Sequence, residues 1–282
     1  MNCFNQAYIW PHGFSLVPEV AGPEREVFSS FYETLENMGK EICKGDPSVI
    51  FIITPHGVRV EGEILIYITE YLEGHLNQFG EDLYLKTQYG KEIAEKVYSK
   101  LKSKKFPIKK MIYGTSSGRF SVAPMDWATF IPLWWIKKAY GDREMPKIVV
   151  LSVDGSNLFH YDKYIEFGKM IRESFDETEE NGVWISSADQ GHCHSEDSFY
   201  GFNSASIYFD EAMCEMAKTF SFDQLLSLDC ERIKEAKTDS IIQTLMLYGA
   251  FKDKKCEPKY MYYKAPTYFG MMAAGYTFDK NK

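Results

Sequence analysis

At 282 residues, with 45% apolar and 16% aromatic side chains, the chain is long enough to bury a substantial core and rich in rings that suit a lined pocket. Thirty-two Lys and Arg against 40 Asp and Glu give a net charge of −8, and only "KSKKFPIKK" (102–110) concentrates base, which excludes a nucleic-acid partner. The N-terminus shows no leader pattern, the densest apolar run, "FIPLWWI" (130–136), is too short to cross a bilayer, and six scattered cysteines without a CxxC pair read as reduced thiols; a cytoplasmic protein with no membrane partner is expected.

In chain order, "AYIW" (7–10) and "SVIFIIT" (48–54) predict buried strands, joined by a helix over "GPEREVFSSFYETLENMGKEICKG" that ends at Gly45. "EILIYIT" (63–69) predicts a strand toward a sheet edge, and His75 in "YLEGHLNQFG" is assigned to a loop without a role. "GKEIAEKVYSKLKSKK" carries apolar residues at three- and four-residue spacing and predicts a helix. "KKMIYG" (109–114), "KIVVLSV" (147–153) and "GVWISS" (182–187) predict further buried strands, with a helix over "YDKYIEFGKMIRESFDE" between the last two. "TDSIIQTLMLYGAF" predicts a late helix with a Thr/Asp cap and a close at Gly249, while "KKCEPKYMYYKAPTYFGMMAAGYTFDK" looks irregular. This alternation predicts one α/β domain with a central, mostly parallel sheet flanked by helices.

The chemistry lies in the histidines, of which there are six. "YIWPHGF" sets His12, and "IITPHGV" sets His56, just past a strand, each between a Pro of fixed φ and a Gly that can take positive φ. One such His is an ordinary turn residue. Two in the same punctuation, 44 residues apart, at the strand ends where open α/β sheets assemble sites, point to a shared site. A third strand end, "GVWISSADQGHCHSED", adds His192 and His194, which cannot share a helical face because two residues turn a helix by about 200°. One is expected to enter the site while the other faces solvent or the acids Glu196 and Asp197; the plain alternative is a polar loop.

The order Pro-His-Gly, Pro-His-Gly, "MDWATFIPL", "LSVD", "SSADQGHCHSED" and "LMLYGAF" resembles the class III extradiol ring-cleavage dioxygenases, the family of the protocatechuate 4,5-dioxygenase catalytic subunit. The resemblance covers about residues 7–251, leaving 252–282 as a C-terminal extension of a single catalytic domain, 1–282. It implies an α/β core, a mononuclear non-haem Fe(II), and O₂-dependent cleavage of a catechol- or aminophenol-like ring beside its hydroxyls. It also implies His12 and His56 as metal ligands and His192 as the acid–base catalyst. The third ligand, usually a carboxylate, falls at the start of the late helix. Asp239 is the carboxylate available there, one place before Ser240, with Glu235 a turn earlier in reserve. Where many members carry Asp-His, this chain has Asp126-Trp127. Trp127, His160 and His194 are the candidates for contacting substrate, and Tyr8, Trp10, Phe14 and Trp127 for an apolar wall. A homo-oligomer is the expected assembly, and the resemblance leaves open a small second subunit, which some members carry.

Two histidines and a carboxylate on one face of an octahedron leave three positions open, which suits Fe(II), although Zn²⁺ accepts the same donors. A nearby His, titrating near neutrality, suits taking a hydroxyl proton and returning it. Two other classes of function stay open. One is a metal-binding protein of the same fold, holding Zn or Fe for a different reaction. The other is a non-enzymatic partner-binding module, hinted at by the aromatic tail.

Overall fold

The structure is a computed structural model and describes residues 3–154 and 160–279. Its centre is an eight-stranded sheet built on β1 (Phe4–Trp10), β2 (Val49–Thr54), β3 (Ile64–Tyr67), β6 (Ile108–Met111), β8 (Lys147–Ser152), β9 (Gly182–Ser187), β10 (Cys256–Lys264) and β11 (Met271–Phe278), in the order β10-β11-β1-β9-β2-β8-β3-β6. The four central strands, β1, β9, β2 and β8, run parallel. They are nearly all buried along their lengths, as continuous apolar runs such as "VIFIIT" require when helices cover both faces. β11 joins β1 antiparallel and β3 joins β8 antiparallel, so the flanks are mixed. A smaller sheet holds β4 (Tyr71–Gln78), β5 (Glu81–Gln88) and β7 (Val122–Pro124), in the order β5-β4-β7.

The helices are α1 (Arg25–Gly45), α2 (Lys91–Ser103), α3 (Trp127–Tyr140), α4 (Tyr161–Asp176), α5 (Ala205–Thr219), the short α6 (Asp223–Leu226) and α7 (Cys230–Glu235), and α8 (Ile241–Phe251). α1 buries Phe28, Phe31, Leu35, Met38 and Ile42, a stripe at three- and four-residue spacing, and stops where Asp46 takes a left-handed conformation. α3, apolar nearly all round, is buried along most of its length and carries Pro132 within it. Among the described residues no helix is long and apolar enough to cross a membrane.

Four expectations change here. "KKMIYG" was expected to be a buried strand, but β6 is the sheet edge with Lys109 and Lys110 exposed, because among the described residues no strand pairs beyond it. Gly249 lies inside α8 rather than closing it: a Cβ there would sit 1.8 Å from the Ile165 carbonyl, and one on Gly168 would sit 1.8 Å from that of Met246, so α4 and α8 cross at two glycines. The stretch after 252, expected to be irregular, forms β10 and β11 and extends the main sheet. His75 lies in β4, not in a loop, and pairs with Asp82 at 2.9 Å on the exposed surface.

Candidate functional site

Parallel strands present their C-terminal ends along one edge, and β1, β2 and β9 deliver their following residues there. His12 follows β1 and His56 follows β2, as the Pro-His-Gly echo predicts. The glycines serve a different purpose from the one expected. Neither Gly13 nor Gly57 adopts positive φ. They are needed for space: a Cβ on Gly57 would lie 2.5 Å from the Tyr67 hydroxyl, and one on Gly13 would lie 3.0 Å from the Phe269 ring. The Val58 N–H donates to that Tyr67 oxygen at 2.9 Å, which fixes the backbone beyond His56.

His12, His56 and Asp239 converge, with one ligand atom from each within 4.8 Å of the others. Asp239 Oδ2 stands 3.2 Å from His12 Nε2 and 3.0 Å from His56 Nε2. The Ser187 hydroxyl donates to the Ala128 carbonyl, so its oxygen accepts from His12 Nδ1–H at 3.0 Å. That bond fixes the tautomer and leaves the Nε2 lone pair for a metal. Asp239 Oδ1 accepts the Asp189 N–H at 2.9 Å, which turns Oδ2 toward both imidazoles. Ser240 stands at the N-cap position of α8 just behind it, makes no side-chain cap bond, and instead donates to Gln190 at 2.9 Å, tying the helix start to the loop after β9. The donor set and its outer bonds therefore fit a divalent cation held by two imidazoles and a carboxylate. Glu235, the reserve ligand, is exposed on α7 and outside this cluster, so Asp239 is the carboxylate that the fold supplies.

Asp189, which the sequence reading left without a role, is buried behind His12. Its Oδ1 accepts the His12 N–H at 3.0 Å, and its Oδ2 lies 3.5 Å from His12 Nε2. Burial pulls the His12 pKa down, but the Asp189 and Asp239 carboxylates outweigh it and raise it to about 9. Burial opposes ionisation of Asp239 too, yet His12, His56 and His192 hold it well below the usual carboxylate range. Burial pushes Asp189 up, against the pull of His12.

Above this cluster lies a cavity of about 410 Å³ whose lining includes His12, His56, Asp189 and His192. Its aromatic wall differs from the expected one. Phe14 and Trp127 line it, whereas Tyr8 and Trp10, on the buried strand β1, do not; Phe28, Tyr200, Tyr268 and Phe269 complete it. Asp126 caps α3, accepting from the Thr129 N–H at 3.0 Å and from the Thr54 hydroxyl at 2.8 Å. This cap sets Trp127 as the first helical residue, stacked on His56 with ring centroids 4.2 Å apart and on Phe14 at 5.8 Å.

His192 Nδ1–H donates to the Gln190 carbonyl at 2.7 Å, so Nε2 carries the lone pair in the neutral ring, which stacks on Phe269. His194 was expected at the exposed side of the loop, beside Glu196 or Asp197, and as a substrate contact. Instead it is largely buried and outside the cavity lining, with Nε2–H donating to Asp210 at 2.8 Å. Asp210 also accepts from the Tyr263 hydroxyl at 2.6 Å and the Gly191 N–H at 2.7 Å, a buried acceptor that the acids in the loop cannot match. His160 stands exposed at the N-cap of α4 and does not line the cavity either, because α4 starts to one side of it. The loop bearing His192 is zipped to the turn between β10 and β11 by Gln190 N–H to Gly270 O, Gly270 N–H to Gly191 O and His194 N–H to Tyr268 O. The sequence carried a signal for Asp189, which sits in "SADQGH"; it carried none for Tyr268 and Phe269, which enter with the C-terminal hairpin.

Comparisons with known proteins bear on the fold and the family. The chain is 25% identical over 281 residues to Protein CA_C1420 of Clostridium acetobutylicum, an alignment that takes in 96% of this chain. It spans 56% of that relative, about half of the longer protein. The fold resembles the crystal structure of the uncharacterized protein JW3007 from Escherichia coli K12, with a TM-score of 0.58 at 16% identity, covering 96% of this chain and 99% of the other. The family model of the catalytic LigB subunit of aromatic ring-opening dioxygenase matches residues 6–277, a span that takes in most of β1, all three histidine-bearing strand ends and nearly all of the C-terminal hairpin. The chain therefore belongs to the family of the catalytic LigB subunit of aromatic ring-opening dioxygenases.

Proposed function

We propose that this chain is an extradiol-type dioxygenase that opens a catechol- or aminophenol-like ring with O₂, using a divalent iron held by His12, His56 and Asp239. The observation that carries the proposal is the convergence of two imidazole Nε2 atoms and one carboxylate oxygen at the floor of an aromatic cavity that also holds His192. Iron in that site would supply a Lewis acid that favours the ionised diol and a reductant for dioxygen. The protein groups do the rest. Trp127, Phe14, Tyr268 and Phe269 give the ring an apolar place and limit water. His192 Nε2 accepts the hydroxyl proton, and the Gln190 carbonyl on Nδ1–H stabilises the imidazolium that results. The same proton returns to the opened product. The ring C–C bond beside the diol breaks and both oxygen atoms enter the product, so no external reductant is consumed.

A second reading has one observation in its favour: Trp127 lies flat on His56, where many members of the family carry an imidazole. In that reading the protein keeps the metal, Fe or Zn, and performs other chemistry. Anaerobic reconstitution with Fe(II), followed by oxygen and a panel of catechols and aminophenols, distinguishes the two. Ring opening at one iron per chain supports the dioxygenase. Stoichiometric metal without any ring opening supports the second reading and rejects the first.

A further inference from the structure

We propose that Glu24 selects the ring substrate, so that the cavity takes catechol-type rings bearing a cationic amine side chain and rejects those bearing a carboxylate. This rests on the reading of the cavity as a ring-binding site and names the substrate class it favours. The lining contains no Lys or Arg among the described residues, and its carboxylates are Asp189 and Glu24. Asp189 is occupied by the His12 backbone and ring. Glu24 is the carboxylate left to face a substituent.

Its placement suits that task. Glu24 sits at the N-cap position of α1, half-buried, and the Ser15 hydroxyl donates to one of its carboxylate oxygens. Ser15 is three residues past His12, a reach of at most about 10 Å along the chain, and lies beyond Phe14, which stacks on Trp127. A ring held with its diol at the metal site of His12, His56 and Asp239 and its face against these aromatics leaves the Ser15–Glu24 end of the lining for a side chain of two or three atoms. An ammonium there meets the carboxylate, with the Gln78 and Thr267 side chains lining the same cavity. A carboxylate there meets like charge and no Lys or Arg among the described lining residues, which disfavours it.

The test measures binding and turnover separately. Dissociation constants for 4-(2-aminoethyl)catechol, 4-ethylcatechol and 3,4-dihydroxybenzoate are measured by tryptophan fluorescence on anaerobic protein loaded with Zn²⁺, which binds the ring without oxidising it. The amine should bind roughly fivefold more tightly than the ethyl compound, the scale of one partly screened ion pair, with the carboxylate weakest. Glu24→Gln should abolish the gap between amine and ethyl compounds, and Glu24→Lys should reverse the order of amine and carboxylate. An unchanged ranking in both variants would overturn the proposal and leave Glu24 as a tie between Ser15 and the start of α1. Binding in the expected order without ring opening under Fe(II) and O₂ would keep the selectivity and reject the dioxygenase. Ring opening indifferent to Glu24 would do the opposite, and no binding of any ring would reject both.

Discussion

Metal uptake should displace a proton from His12, and the cavity chemistry fixes where on the pH scale this happens. Without metal, His12 lies between Asp189 and Asp239, which raise its pKa to about 9 against the pull of burial. A metal binds neutral Nε2, so below that pH each cation must expel one proton, while Asp239 stays ionised throughout. Affinity should then fall about tenfold per pH unit well below pH 9, or about 50-fold between pH 9, where half of His12 is already protonated, and pH 7, equivalent to about 2 kcal/mol. The assay is calorimetric titration with Zn²⁺ in two buffers of different ionisation enthalpy at several pH values. Close to one proton should be released at pH 7 and nearly none above pH 10. The metal-free protein carries the mirror image. Its folded His12 pKa lies above the ordinary 6.5, so the stabilisation, about 3 kcal/mol, is full below pH 6.5 and is lost as pH rises through about 9. Affinity independent of pH across 6 to 9, with no proton release, would refute this account of the His12 environment.

Three further outcomes follow from particular contacts. His192→Ala should retain stoichiometric metal but lose about 10²–10⁴-fold in turnover, the usual share of an acid–base group; loss of metal instead would make His192 a ligand. Asp210→Ala strands His194, Tyr263 and the Gly191 N–H in a buried site and should cost about 3–5 kcal/mol by urea unfolding, whereas Asp82→Ala, at the exposed His75 pair, should cost under about 1 kcal/mol. Equal losses would show that the Asp210 cluster is not the clamp on the His192 loop. Gly168→Ala drives a methyl into the Met246 carbonyl and should destabilise by about 3 kcal/mol or more; a melting temperature within a degree or two of the parent would mean that α4 and α8 separate freely.

The sequence by itself determined the local parts. Continuous β-branched runs specified the buried parallel strands, because only strands covered on both faces tolerate such runs. The repeated Pro-His-Gly placed His12 and His56 at strand ends, and "SADQGH" placed His192 at a third, so the three-strand convergence was legible from periodicity and punctuation alone. Tertiary structure decided whatever depends on partners distant in the chain. Asp239 and not Glu235 stands beside the two imidazoles because the Asp189 N–H, 50 residues away, turns its free oxygen toward them, and nothing in "KEAKTDS" encodes that bond. His192 and His194 look alike in sequence. They part because Asp210 on α5 and Tyr263 on β10 form a buried acceptor for one, while Phe269, from the turn after β10, stacks against the other. The aromatic tail reads as irregular because its strands alternate weakly and β11 pairs with β1 across more than 260 residues, for instance Gln6 with Thr277, a long-range register that no local pattern can announce.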